Sequence, residues 1–94
     1  MDSKKHLCLV FDGTLYYSGC FIRVSESALV FTGIYSDTIP LSNICQADKA
    51  SRFWFKTRGI KILYRDSHNH KKEIWIKVRS KKVCQQILIL LSKA

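Results

Sequence analysis

The sequence consists of short β-prone runs separated by turn signals, followed by a single helical pattern. The β-prone runs cover residues 7–11, 14–24, 28–34, 36–41, 52–57, 60–65 and 73–78, and residues 42–50 read as irregular. Asp12-Gly13 is a strong hairpin signal. Gly19 indicates a bulge or a sharp bend within a strand, and Pro40 places its strand at an edge or lies at a strand end. This punctuation is typical of an antiparallel sheet, so we expect about seven short strands.

The last stretch, SKKVCQQILILLSK, predicts one amphipathic helix with Ser80 as its N-cap. One broad helical face collects Val83, Cys84, Ile87, Leu88, Leu90 and Leu91, whereas Ile89 falls outside it. A strongly bent sheet leaves an open end, and an apolar helix can close it. With 94 residues, the chain is expected to form one mainly β (α+β) domain over residues 1–94, a bent sheet or partly open barrel capped by this helix.

The positive charge of the chain is concentrated in its second half. Residues 49–82 hold twelve Lys or Arg residues against two acids, Asp66 and Glu73. A surface that only needs solvation usually mixes both signs. The concentration therefore favours an acidic partner, which is an acidic protein, an anionic membrane face or nucleic acid.

The cysteines and the N-terminus indicate a reducing compartment. Cys8, Cys20, Cys45 and Cys84 form no CxxC pair, and the first, second and fourth stand among apolar neighbours that predict buried thiols. The apolar run after Lys4-Lys5 is too short for a signal peptide. We expect a cytoplasmic protein, either free or peripheral at a membrane.

Residues 52–65, RFWFKTRGIKILYR, set basic residues among aromatic and aliphatic ones. With Arg58-Gly59 as a two-residue hairpin loop, Thr57 pairs with Ile60 and both strands alternate consistently. If the next strand places Glu73 beside Arg65, then Trp75 lies beside Leu63 and Lys77 beside Lys61. A register shifted by two residues remains open.

In this arrangement one outward face carries the predicted ligand-binding residues. They are Arg52, Trp54, Lys56, Lys61, Arg65, Trp75 and Lys77. Like charges directly opposite each other destabilise a sheet, and two outward indoles lose favourable burial. An apolar row between basic rows therefore indicates a contact surface for an anionic and partly apolar partner. The alternative is that the indoles only cover the pleat while Lys and Arg stems pack along them.

Three stretches carry a resemblance to a known superfold. They are GCFIRVSESALVF (19–31), TIPLSNI (38–44) and IKILYRDSHNHKKEIWIKV (60–78), followed by the helix. Together they resemble pleckstrin-homology-like domains, and most closely GRAM domains and small bacterial PH-like domains. The resemblance implies a binding scaffold for lipid, peptide or protein, and this superfold hosts many functions.

The sequence departs from the lipid-binding members in one respect that concerns function. Phosphoinositide-binding PH domains place basic residues in and beside the first hairpin loop. Here no basic residue stands between Asp12 and Arg23. The resemblance therefore does not carry over the usual head-group site.

Catalytic motifs are weak throughout the sequence. The glycines form no phosphate loop, and no nucleophile, base and acid combine into a recognisable set. Asp66, His68 and His70 are the one metal-like cluster, and a solvated loop explains them better. We expect no enzyme, no catalytic or metal residues, no cofactor and no small-molecule substrate.

The main hypothesis is a non-catalytic PH/GRAM-like module that binds an acidic protein segment or an anionic membrane surface through the outward face. One alternative is single-stranded nucleic-acid binding, with bases stacked on Trp54 and Trp75. Another is a docking domain of a larger assembly that uses the groove between strand 52–57 and the C-terminal helix. The pattern does not specify an oligomeric state.

Overall fold

The computed structural model describes residues 5–50 and 59–92 as one antiparallel sheet and one helix. The strands are β1 (His6–Phe11), β2 (Tyr16–Val24), β3 (Ala28–Gly33), β4 (Asp37–Pro40), β5 (Ile44–Ala50), β6 (Gly59–Arg65) and β7 (Lys71–Val78), with a short 3₁₀ helix at Leu41–Asn43 and the helix α1 at Lys81–Ser92. Their order in the sheet is β4-β3-β2-β1-β7-β6-β5. The predicted class is confirmed: seven antiparallel strands in a sheet that is not closed into a barrel, with one C-terminal helix.

The core lies between the inner face of the sheet and α1. Strand residues alternate between the two faces, so every second residue of β6 and β7 is buried there. The fully buried side chains with the largest volumes are Phe31, Ile22, Leu29, Ile60, Ile62, Ile74, Ile76 and Ile87. Close packing of these side chains stabilises the sheet. The described residues include no buried polar or charged side chain, so this core is entirely apolar.

The helix α1 closes one end of the sheet as its pattern predicts. Ser80 is the N-cap, because its Oγ accepts a hydrogen bond from the backbone amide of Val83 at 3.2 Å. Cys84, Ile87 and Leu91 are buried, whereas Ile89 is 55% exposed. Among the described residues, no helix combines the length and apolar character needed to cross a bilayer.

The predicted turn and bulge near the N-terminus are confirmed. Asp12 Oδ1 accepts hydrogen bonds from the amides of Thr14 and Leu15 at 2.8 and 2.9 Å, which holds the β1–β2 turn. The β1–β2 register shifts between Cys8 and Val10, opposite the segment that contains Gly19. Pro40 ends β4, an edge strand of the sheet, as expected.

The prediction for the fifth strand is corrected. Residues 44–50, expected to be irregular, form β5 and pair with β6 from Ile44↔Tyr64 to Ala50↔Gly59. Residues 52–57, predicted as this strand, lie outside the described residues. In the described part of the chain, β5 and β7 occupy the two hydrogen-bonding edges of β6. An edge strand needs few apolar residues, and half-buried Ala47 supplies one of them.

The four free cysteines differ in environment, and this predicts their reactivity. Cys8, Cys20 and Cys84 are buried and Cys45 is exposed. Burial, followed by the neighbouring Cys20, raises the pKa of the Cys8 thiol to about 12. Because the thiolate is the reactive form, we expect a disulfide reagent at pH 8 to modify Cys45 rapidly and the other three only on unfolding. Counting modified thiols by mass spectrometry, with and without urea, checks this. Rapid native labelling of Cys8 would contradict the packing described.

Candidate functional site

The outer face of the sheet, which points away from the core, brings four of the predicted site residues together. Lys61 and Arg65 lie on β6 and Trp75 and Lys77 on β7, and all four are half-buried. This is the orientation that the alternation predicts. The other three predicted site residues, Arg52, Trp54 and Lys56, lie outside the described residues.

The β6–β7 register is the alternative that the sequence left open, shifted by two residues from the one used to predict the outward face. Leu63 pairs with Glu73, Lys61 with Trp75 and Gly59 with Lys77. The connection spans only Asp66–His70, because β7 already begins at Lys71. A shift of two residues leaves every side chain on the same face. The residues on the outer face are therefore the expected ones, but each faces a different cross-strand partner from the one first assumed.

The observed register separates Lys61 from Lys77 and gives Lys61 acidic neighbours. The Lys61 Nζ lies 3.3 Å from an Oε2 oxygen of Glu73, and Asp48 of β5 pairs directly with Lys61. Arg65 instead lies opposite Lys71, a residue assigned to the loop from the sequence. One pair of opposed cations thus remains in the described part of the face, and such a pair is destabilising by up to about 1 kcal/mol.

Trp75 belongs to an aromatic cluster on the outer face. Its ring centroid lies 5.4 Å from that of Phe11, which pairs with it on β1, and Phe11 stacks on Tyr16 at 4.4 Å. Phe11 is therefore buried on the side of the sheet opposite the core. The indole of Trp75 covers part of the pleat, as the alternative interpretation of the sequence predicts. It is half-buried, so part of the ring can contact a partner.

Sequence reasoning missed the contribution of β1 and β2 to this face. Leu7 is 49% exposed, and Phe21, its direct partner on β2, is 37% exposed. The ammonium of Lys5 lies 5.3 Å from the centroid of the Phe21 ring. Half-buried Leu9 pairs with Lys77 of β7. The alternation of LCLVF could have indicated two outward leucines, but only the β1–β7 pairing places them beside Lys77.

The end of the sheet opposite α1 has a different character. It contains a cavity of 720 Å³ lined by four acidic residues, by two cations and by two tyrosines: Asp12, Asp37, Asp66, Glu73, Arg65, Lys72, Tyr35 and Tyr64. Burial is the largest cause that raises the pKa of the Tyr35 and Tyr64 phenols, and the nearby charge of Asp37 raises both further. Carboxylates outnumber cations four to two in this lining, and this balance disfavours an anionic group in the cavity.

Asp66, considered above as a metal ligand, organises the β6–β7 turn. Its Oδ1 accepts hydrogen bonds from the amides of His68 and His70, both at 2.9 Å. The hydrogen bond from His70 is the largest cause that lowers the pKa of Asp66. Within residues 5–50 and 59–92, no three His, Cys, Asp or Glu side chains form a group suited to a metal ion.

Comparison with known proteins adds no assignment. No family model matches the chain, and a search of curated proteins finds no relative.

Proposed function

We propose that the chain is a non-catalytic interaction module of PH-like architecture that binds an acidic protein segment or an anionic membrane surface through its outer face. The residues assigned to binding are Lys61, Arg65, Trp75 and Lys77. Lys71 joins them, and Arg52, Trp54 and Lys56 remain candidates from the sequence. The bent seven-stranded sheet with one C-terminal helix supports the PH-like part of the proposal.

The observation that carries the proposal is the mixture of cations and apolar side chains on one continuous face. Lys77 lies between Leu9 and Gly59, and Arg65 lies opposite Lys71. The surroundings of these cations favour an anionic ligand, which would relieve the repulsion between Arg65 and Lys71. Exposed apolar surface beside them would be desolvated on binding.

The location that we propose is the cytoplasm, with the module either free or peripheral at a membrane surface. The four cysteines support this location, since all are unpaired and three are buried in the core. Disulfides would be expected to form more readily in an oxidising compartment.

The proposal is tested by removing two cations from the outer face and comparing this variant with one that loses two cations elsewhere. Lys71→Gln/Lys77→Gln changes the face, and Lys81→Gln/Lys82→Gln makes the same charge change on the exposed start of α1. A cation near an anionic surface contributes about 1 kcal/mol, so the face variant should bind phosphatidylserine vesicles roughly 30-fold more weakly than wild type. We expect the helix variant to be affected much less.

The same two variants are then titrated with a fluorescent poly-glutamate peptide and a single-stranded oligonucleotide. Weaker binding of either the peptide or the vesicles by the face variant alone supports the proposal. Equal weakening by both variants would mean that only net charge matters, and the proposed face would be wrong. Selective binding of the oligonucleotide would instead favour the nucleic-acid alternative.

A further inference from the structure

We propose that the partner of the outer face is an anionic bilayer surface, with Leu7 and Phe21 as the apolar contact and Lys5 and Lys77 as head-group ligands. This inference rests on the proposed function and names the occupant of the same face. It is carried by the β1–β2 part of the face, which the sequence alone did not assign to binding.

The first step concerns where exposed apolar surface meets positive charge. Leu7 and Phe21 pair directly across β1 and β2, and both side chains point away from the core. Lys5 lies over the ring of Phe21, and Lys77 flanks Leu9. Lysine stems lie along apolar surface while their ammonium groups reach a polar layer, and this arrangement suits a boundary between head groups and acyl chains.

The second step concerns the polarity of the molecule along β1. Leu7 lies towards the end of the sheet that α1 closes, since its neighbour Cys8 pairs with Val78, two residues before Ser80. Asp12 follows β1 at the other end, where four carboxylates line the cavity together with Arg65 and Lys72. A bilayer with negative charge is attracted to the lysines beside Phe21 and Leu9 more strongly than to this end of mixed charge. Charge complementarity thus places the part of the face around Leu7 and Phe21 nearest the membrane.

The third step distinguishes a bilayer from an acidic protein. Lysine is depleted at protein–protein interfaces, where arginine and fixed geometry dominate. Lys5 lies over the ring of Phe21 and Lys77 pairs with Leu9, so lysines supply positive charge directly beside the apolar residues of this face. An ammonium on a flexible stem is a point charge without a required geometry, which suits fluid head groups. The outer face is also an open sheet surface, and a bilayer contact requires no groove.

The decisive variant is Leu7→Gln/Phe21→Gln, measured by flotation with phosphatidylcholine vesicles that contain or lack phosphatidylserine. The matched control is Ile34→Gln/Ile89→Gln, which removes two exposed apolar side chains on the β3–β4 turn and on α1. We expect the first variant to lose at least about tenfold in partitioning, because burial of two methylene groups already accounts for that. The control should match wild type.

A second measurement, in which vesicle binding changes the emission of a fluorophore, makes the test independent of folding defects. In a Cys45→Ser background, Leu7→Cys and Ile89→Cys are each labelled with an environment-sensitive fluorophore. We expect a blue shift with phosphatidylserine vesicles for the label at position 7 only.

An unshifted label at position 7, or equal losses in the two double variants, would overturn the bilayer contact. If wild type then still binds poly-glutamate through Lys71 and Lys77, the proposed function survives without this inference. If it binds neither vesicles nor peptide, both fail.

Discussion

Replacing Gly33 by alanine is expected to destabilise the fold by about 3 kcal/mol, which is a large part of the total stability of a small domain. Gly33 has a φ of +99°, which L-residues rarely adopt. A Cβ at this position would lie 2.7 Å from the backbone oxygen of Gly19 and 3.3 Å from the Cα of Cys20. Both obstacles are backbone atoms of β2, so the contact cannot be relieved by a side-chain rotation.

The matched control for Gly33→Ala is Gly13→Ala. Gly13 has nearly the same φ, +100°, but a Cβ there would meet only an atom of the Trp75 ring at 4.0 Å. We therefore expect Gly13→Ala to show the backbone strain alone, about 1 kcal/mol. Urea unfolding of both variants measures the difference. Equal losses of stability would mean that β2 and β3 do not approach as closely as described.

Truncating Ile87 to alanine is expected to cost about 2–5 kcal/mol, since it leaves a cavity where α1 closes the sheet. Ile87 is 1% exposed and belongs to the same core cluster as Ile60, Ile62 and Ile76. The loss includes the transfer free energy of the removed methyl groups and the cavity that neighbouring side chains do not fill. Urea unfolding of the full chain measures it.

Ile89→Ala is the control for Ile87→Ala on the same helix. Helix propensity changes in the same way in both variants, but Ile89 is 55% exposed. We expect a change within about 0.5 kcal/mol of wild type. If Ile89→Ala were as destabilising as Ile87→Ala, the helix would present a different face to the sheet. If neither changed stability, α1 would not contribute to the core.

The candidate site shows how much of a sheet surface can be predicted from the alternation of buried and exposed residues alone. The pattern of IKILYR and EIWIKV correctly places Lys61, Trp75 and Lys77 on the outer face. It does not determine the register, because shifts of two residues preserve the face. The register depends on the β6–β7 turn. In this turn Asp66 accepts hydrogen bonds from two backbone amides, and Asn69 adopts a φ of +64°. The strand β7 then begins at Lys71.

The acidic residue opposite Lys61 could not be predicted from the sequence, for a different reason. Asp48 precedes the basic block of residues 49–82, so the sequence does not associate it with the site. Pairing of β5 with β6 brings it opposite Lys61. The polar, weakly alternating residues 44–50 gave little β signal, and an edge strand tolerates such a composition because only part of one side is buried. Local pattern therefore misjudged both the strand and the charge balance around Lys61.

Local chemistry in the chain determines the turn at Asp12-Gly13, the N-cap at Ser80, the alternation of β6 and β7 and the apolar face of α1. These features depend on backbone preferences and on side-chain periodicity over a few residues. Only the tertiary structure places β1 between β2 and β7, and thereby Leu7, Phe21 and Lys77 on one surface. Which strands become neighbours depends on burying the whole inner face at once, and this is a property of the complete sheet.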